Sequence, residues 1–207
     1  MSFEISPDYL PATLTAHPMT DAEFAQLCAK HTDLDFEMTA EGELLIMAPT
    51  HPWTAVRNSR ITGRLDRWAE EDGRGVAFDS SGGFVLPNGA RRSPDASWTL
   101  RSRVADATSD DQEPFLGLCP DFVIELRSAS DRLPPLRRKL QEYVENGAQL
   151  GWLIDPTTRT VEIYRPGAEP ELRVDLATID GEGPVAGFHL DLAFIWNPRG
   201  ESAPSAL

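Results

Sequence analysis

A chain of 207 residues with 41% hydrophobic content can bury one well-packed core and is short for two domains. Its net charge of −14 argues against strong nonspecific nucleic-acid binding, which draws on a basic excess, but leaves room for an acidic site that recruits a divalent cation. No apolar run approaches the roughly 20 residues of a membrane-spanning helix, and the N-terminus lacks the basic and apolar regions of a secretory signal.

Residues 1–19 show no periodicity and predict an irregular lead-in. Thr20-Asp21-Ala22-Glu23 has the form of a capping box, and Phe24, Leu27, Cys28 and His31 continue it at helical spacing. Leu34–Met38 and Glu43–Met47 read as strands about the turn Ala40-Glu41-Gly42. Trp53, Val56, Ile61, Leu65 and Trp68 then mark a longer helix that stops near Asp72-Gly73, and the two tryptophans are expected in its core face. Short strands follow at 76–79 and 84–86, and another begins at Ser93-Pro94-Asp95. Residues 101–118 are polar, acidic and without pattern, which predicts a surface loop.

The stretch Cys119–Ser128 reads as a buried strand entered through Pro120. On it Phe122, Ile124 and Leu126 share one apolar face, while Asp121, Val123, Glu125 and Arg127 share the other. Leu133, Leu136, Leu140 and Val144 predict a helix ended by Asn146-Gly147, and Leu150–Ile154 a further strand. Val161–Tyr164 and Leu172–Leu176 form an expected hairpin, Phe188–Phe194 is a last apolar element, and residues 201–207 are an expected disordered tail. The order implies a single α/β (α+β) domain over residues 20–200, with a mixed sheet core flanked by helices and additional antiparallel hairpins. The 120–154 unit has the length of a crossover between parallel strands.

Charge on a buried strand needs a partner. Asp121 and Glu125 lie on one face, but at roughly 3.3 Å per residue they stand about 13 Å apart, too far to share an ion. Glu125 therefore looks to another strand, and Asp95 is the best candidate. Two strand-borne carboxylates with waters and a phosphate oxygen make a typical magnesium site. The plainer reading of Asp95 alone is a strand start beside a proline turn.

Ser93-Pro94-Asp95 followed by Glu125-Leu126-Arg127 resembles the PD-(D/E)xK nuclease pattern, with arginine at the lysine position. Phe36-Glu37, Glu41–Thr50, Phe78–Ser81, Arg92–Asp95, Pro120–Ser128 and Gly151–Pro156 together resemble the bacterial Uma-two branch of that superfamily. The resemblance implies a restriction-endonuclease-like fold, a homodimer, and metal-dependent hydrolysis of phosphodiester bonds in DNA. It would place Mg²⁺, with Mn²⁺ as a substitute, on Asp95 and Glu125, to polarise the scissile phosphate and activate water. Arg127 keeps its proton, so it could stabilise phosphate charge but not act as a base. Glu37 would be a further carboxylate near the metal, against the plainer reading of a solvated strand charge. Lys139, one turn before Tyr143, resembles the glutamine of a Gln-x-x-x-Tyr helix in related nucleases and could reach substrate, although a snorkelling surface lysine is the more usual role.

Other features are discounted. Cys28 and Cys119 lack metal spacing and read as free thiols in a reducing cytoplasm. The histidines show no zinc-ligand spacing. Arg132, Arg137, Arg138 and Lys139 form the basic cluster, a DNA-backbone contact or a solvated helix face. Two rivals to the nuclease remain: a noncatalytic interaction protein on the same scaffold, favoured by Arg127, and a small-substrate phosphoesterase, favoured by the acidity.

Overall fold

Alternating apolar residues near the start of the chain build a small antiparallel layer. The structure, a computed structural model, describes residues 12–15, 19–32, 34–47, 50–107 and 115–200; the expected tail at 201–207 lies outside them. Strand β1 (Ala12–Thr15) pairs along β3 (Glu43–Met47), so the lead-in is not wholly irregular. Four residues are too few for period-two alternation to show in sequence. Helix α1 (Asp21–Lys30) starts on the expected capping box: Thr20 Oγ1 accepts from the Glu23 amide, and Glu23 Oε2 accepts from the Thr20 amide at 2.8 Å. Strand β2 (Asp35–Met38) completes the hairpin with β3, its Phe36, Met38 and the facing Leu44 and Ile46 packed under Phe24.

Helix α2 (Pro52–Asp72) opens with His51 as cap and Pro52 in its first turn, and Gly73 ends it at φ 73°, a left-handed conformation that glycine adopts freely. Ile61, Leu65 and Ala69 form its buried stripe. It packs on β4 (Gly75–Asp79), which leads through the two-residue strands β5 (Phe84–Val85) and β6 (Arg91–Arg92) to β7 (Ala96–Leu100). Residues 101–107 form a helix, α3 (Arg101–Ala107), where a loop was expected. No residue of α3 is buried, so it carries no apolar stripe to read; Arg103 anchors it instead, donating to Asp121 and to the Cys119 carbonyl.

The centre is β8 (Phe122–Leu126), every residue of it buried. Helix α4 (Leu133–Glu145) crosses from β8 to β9 (Leu150–Asp155), and the two strands run parallel, as the spacing implies. β10 (Thr160–Tyr164) and β11 (Glu171–Val174) form the predicted hairpin and extend the sheet to the order β11-β10-β9-β8-β7-β4. The last apolar element resolves into β13 (His189–Asp191), paired with β12 (Thr178–Asp180), and a short helix α5 (Ala193–Trp196).

The two faces of β8 part as the alternation requires. Phe122, Ile124 and Leu126 join Ile61, Leu65, Trp152 and Phe188 in the main core, where the Trp152 and Phe188 rings stack at 5.9 Å. Val123 packs with Leu140, Tyr143 and Leu153 under α4. Glu125 belongs to this second face, so it projects beneath α4. Space on the sheet is tight where α2 meets it. A Cβ at Gly75 would lie 2.3 Å from the Trp98 ring and 2.5 Å from the Thr99 carbonyl oxygen. Gly75→Ala is therefore expected to lower stability by about 1–3 kcal/mol, measured by urea denaturation.

Candidate active site

Four elements converge on one buried cluster of charge. β2 brings Glu37 and β8 brings Glu125, which are 6% and 4% exposed. Helical periodicity turns Lys139 inward beside Leu140, so its ammonium enters between them. Lys139 Nζ lies 2.7 Å from Glu37 Oε1 and 2.7 Å from Glu125 Oε1, and 3.2 Å from the Ser93 carbonyl oxygen to which it donates. It is a buried ion-paired lysine, not the snorkelling one. Glu37 is likewise no solvated strand charge: its oxygens also accept from Arg92 Nη1 at 3.2 Å and from the Ser93 amide at 3.1 Å. Arg92 continues the network to Glu142 Oε2 at 2.6 Å.

Asp95, just ahead of β7, is fixed from two sides. Its Oδ2 accepts from the Leu126 amide at 2.7 Å, and its Oδ1 accepts from Asn58 Nδ2 at 2.7 Å. The structure therefore sets Asp95 against the end of β8, beside Glu125. Arg127 does not join them. Its Nη1 donates to Asp155 Oδ2, at the end of β9, at 2.8 Å, and its Nε to the Asp131 carbonyl ahead of α4. Asp121 is also engaged elsewhere, accepting from the Leu100 amide and from Arg103.

The electrostatics separate these acids. Burial raises the Glu37 carboxyl, but Lys139, Arg92 and the Ser93 amide outweigh it and hold the group below its ordinary value. Burial pushes Glu125 up to about 8; Lys139 opposes this, while Asp95 and Glu37 add to it. Asp95 is raised too, chiefly by burial, against the Leu126 amide and Lys139. Lys139 loses some charge preference to burial, yet Glu125 and Glu37 carry its pKa above the ordinary lysine value, so it stays a cation. Tyr143, fully buried one turn along α4, has its phenol raised by desolvation and by the nearby Glu125 and Glu37, and its hydroxyl has no hydrogen-bond partner among the described residues.

The donor set suits a hard cation of modest demand. Among the described residues no three His, Cys, Asp or Glu side chains converge as a metal cluster. Asp95 and Glu125 do form a pair of crowded oxygen donors whose mutual repulsion a cation would relieve, and magnesium commonly takes one or two carboxylates and fills its shell with water. Asn58, Arg92 and Glu142 escaped the sequence reading. Arg92 opened a recognised block without a role assigned to it, but Asn58 is a single amide on a long polar helix face, which carries no local signal.

Sheet order, flanking helices and this acidic cluster define a mixed α+β fold of nuclease type. Residues 21–193 match the Uma2 family, described as "Putative restriction endonuclease", and the chain belongs to that family. A solved structure described as "a putative nuclease belonging to DUF820" from Anabaena variabilis ATCC 29413 shares the fold, with 24% identity and a TM-score of 0.68 over 86% of this chain and 98% of that one. No curated protein matches the sequence. The described helices include none long and apolar enough to cross a membrane.

The raised Glu125 carboxyl sets a pH dependence. Between the ordinary value of 4.5 and about 8 the folded chain holds a proton that the unfolded chain has released, so stability falls as pH rises through this window. For one proton the slope reaches at most about 1.4 kcal/mol per pH unit. Urea midpoints of the metal-free protein are expected to decline from pH 5 to 8, and Glu125→Gln is expected to flatten that decline.

Proposed function

We propose that the protein is a metal-dependent endonuclease that hydrolyses phosphodiester bonds in DNA, working as a cytoplasmic homodimer. The observation that carries the reading is the convergence of Asp95 and Glu125 with a buried, charged Lys139 that arrives from α4. Restriction-endonuclease-like proteins are generally metal-dependent, and the two acids here have the oxygen donors that Mg²⁺ or Mn²⁺ prefers. A bound divalent cation supplies Lewis acidity toward a phosphoryl oxygen.

The chain's own groups do the rest. Asn58 and the Leu126 amide hold the Asp95 carboxylate in place, and burial holds Glu125 close to its neutral form until a cation offsets the crowding. Lys139 presents a fixed positive charge beside Glu125, where charge grows on the phosphate during attack. With a raised pKa it acts as an electrostatic stabiliser and not as a base. Arg92 and Lys139 already occupy Glu37, so in this reading Glu37 sets the position of Lys139 and takes a ligand's place only if that pair opens. Arg127, held by Asp155, leaves to Lys139 the part that the sequence pattern gave to it.

Calorimetry with Mg²⁺ and Mn²⁺ on wild type, Asp95→Ala and Glu125→Ala, with parallel incubation on plasmid and single-stranded DNA, tests the proposal. Metal binding lost in both variants, and nicking by wild type alone, is the expected result. Lys139→Met is expected to keep metal binding and to nick at least about 100-fold more slowly. Binding without nicking would overturn the DNA substrate, and wild type that binds neither metal would overturn the enzyme.

A further inference from the structure

Outside the buried network, the first turns of α2, the segments after β8 and β9, and residues 197–199 enclose a cleft of about 410 Å³. Its walls carry Arg57, Arg127 and Arg199, together with His51 and Trp53. Trp53 is half-buried here and is not part of the core expected for it; Trp68 does pack there, on Trp98 and Phe188.

The three arginines differ in their partners. Arg127 is neutralised by Asp155 at 2.8 Å. Arg57 directs two of its N–H groups to main-chain carbonyls, Nε to Ile195 at 2.7 Å and Nη1 to Trp53 at 3.4 Å, and its Nη2 donates to no carbonyl or carboxylate among the described residues. Arg199 lies over the Trp53 ring, 5.1 Å from its centroid. Among the described residues neither Arg57 nor Arg199 has a carboxylate within ion-pair distance. In a chain of net charge −14, two such guanidiniums in one cleft are a local reversal of sign. Burial alone also disfavours the charge on Arg57, so an incoming anion would stabilise it.

Position ties the cleft to the acids. Thr54 lines it, and one helical turn on, Asn58 holds Asp95. Arg127 stands two residues beyond Glu125, just past the Leu126 amide that holds the other oxygen of Asp95. The comparable groove along α4 is balanced in charge: Arg137 makes a bidentate pairing with Glu162, and Arg138 shares the lining with Glu169.

We propose that the cleft is a phosphate subsite for a polynucleotide backbone, in which Arg57 and Arg199 hold a phosphodiester flanking the one presented to Asp95 and Glu125. Guanidinium groups match phosphate oxygens in a bidentate fork and gain most where no carboxylate competes. The assignment rests on the nuclease reading for what is cut and on the cleft alone for what is bound.

The test is fluorescence anisotropy of a labelled DNA oligonucleotide, single-stranded and duplex, with full-length protein across a salt series. Arg57→Gln and Arg199→Gln are each expected to weaken binding about tenfold and to reduce the salt slope by about one, whereas Arg137→Gln leaves both unchanged. Arg199 is exposed and, among the described residues, donates no hydrogen bond to the main chain, so its variant remains informative if Arg57→Gln unfolds. Arg57 and Arg199 variants that bind like wild type would overturn the subsite. In parallel, wild type is assayed on bis(4-nitrophenyl) phosphate, a diester too small to span acids and cleft. Turnover of that diester without oligonucleotide binding sinks the subsite and spares the phosphodiesterase. Arginine-dependent binding with no cleavage of either substrate keeps the subsite and sinks the nuclease.

Discussion

The ammonium of Lys139, placed between Glu37 and Glu125, is the constraint around which the acidic half of the molecule is arranged. Each of these charges alone would be expensive to bury, and removal of the ammonium would leave two buried carboxylates without it. The pairing fastens three layers: the N-terminal sheet through β2, the central sheet through β8, and α4 above it. Arg92 and Glu142 extend it from β6 back to α4. Because these elements lie far apart in sequence, the cluster exists only when the whole fold is closed.

One ammonium cannot satisfy two carboxylates equally. Glu37 receives Arg92 and the Ser93 amide as well and is held in its ionised form. Among the described residues Glu125 has Lys139 as its cationic partner and no second one, with Asp95 and Glu37 crowding it, and burial tips it toward the proton. The result is an acid pair short of positive charge beside a fully compensated glutamate. Such an imbalance is what a divalent cation would correct, which is the physical content of the metal-site proposal.

Much of the fold could be read from short patterns. The α1 capping box, the glycine that ends α2 and the apolar face of β8 are local features, decided within a few residues. The elements that went unread lack such a signature: β1 has four residues, and α3 buries none of its side chains and hangs on Arg103. Within the site, Glu125 stood out because a carboxylate on a buried strand is anomalous, and Asp95, ordinary by itself beside a proline turn, stood out as the partner Glu125 needed. Asn58 did not, because an amide on a helix is ordinary until Asp95 is seen beside it.

By itself the sequence determined the mixed sheet with flanking helices, the parallel β8–α4–β9 crossover and the family, since periodicity, caps and contiguous motif blocks are properties of neighbouring residues. Only the tertiary structure decided which cation serves the acids. Arg127 occupies the motif position but is turned to Asp155, while Lys139, fourteen positions after Glu125, enters the cluster from α4. It likewise decided that Arg57, in α2, and Arg199, beyond α5, border one cleft although they lie far apart in sequence. The reason is general: charge partnership depends on distance and burial in space, and neither is carried by spacing along the chain.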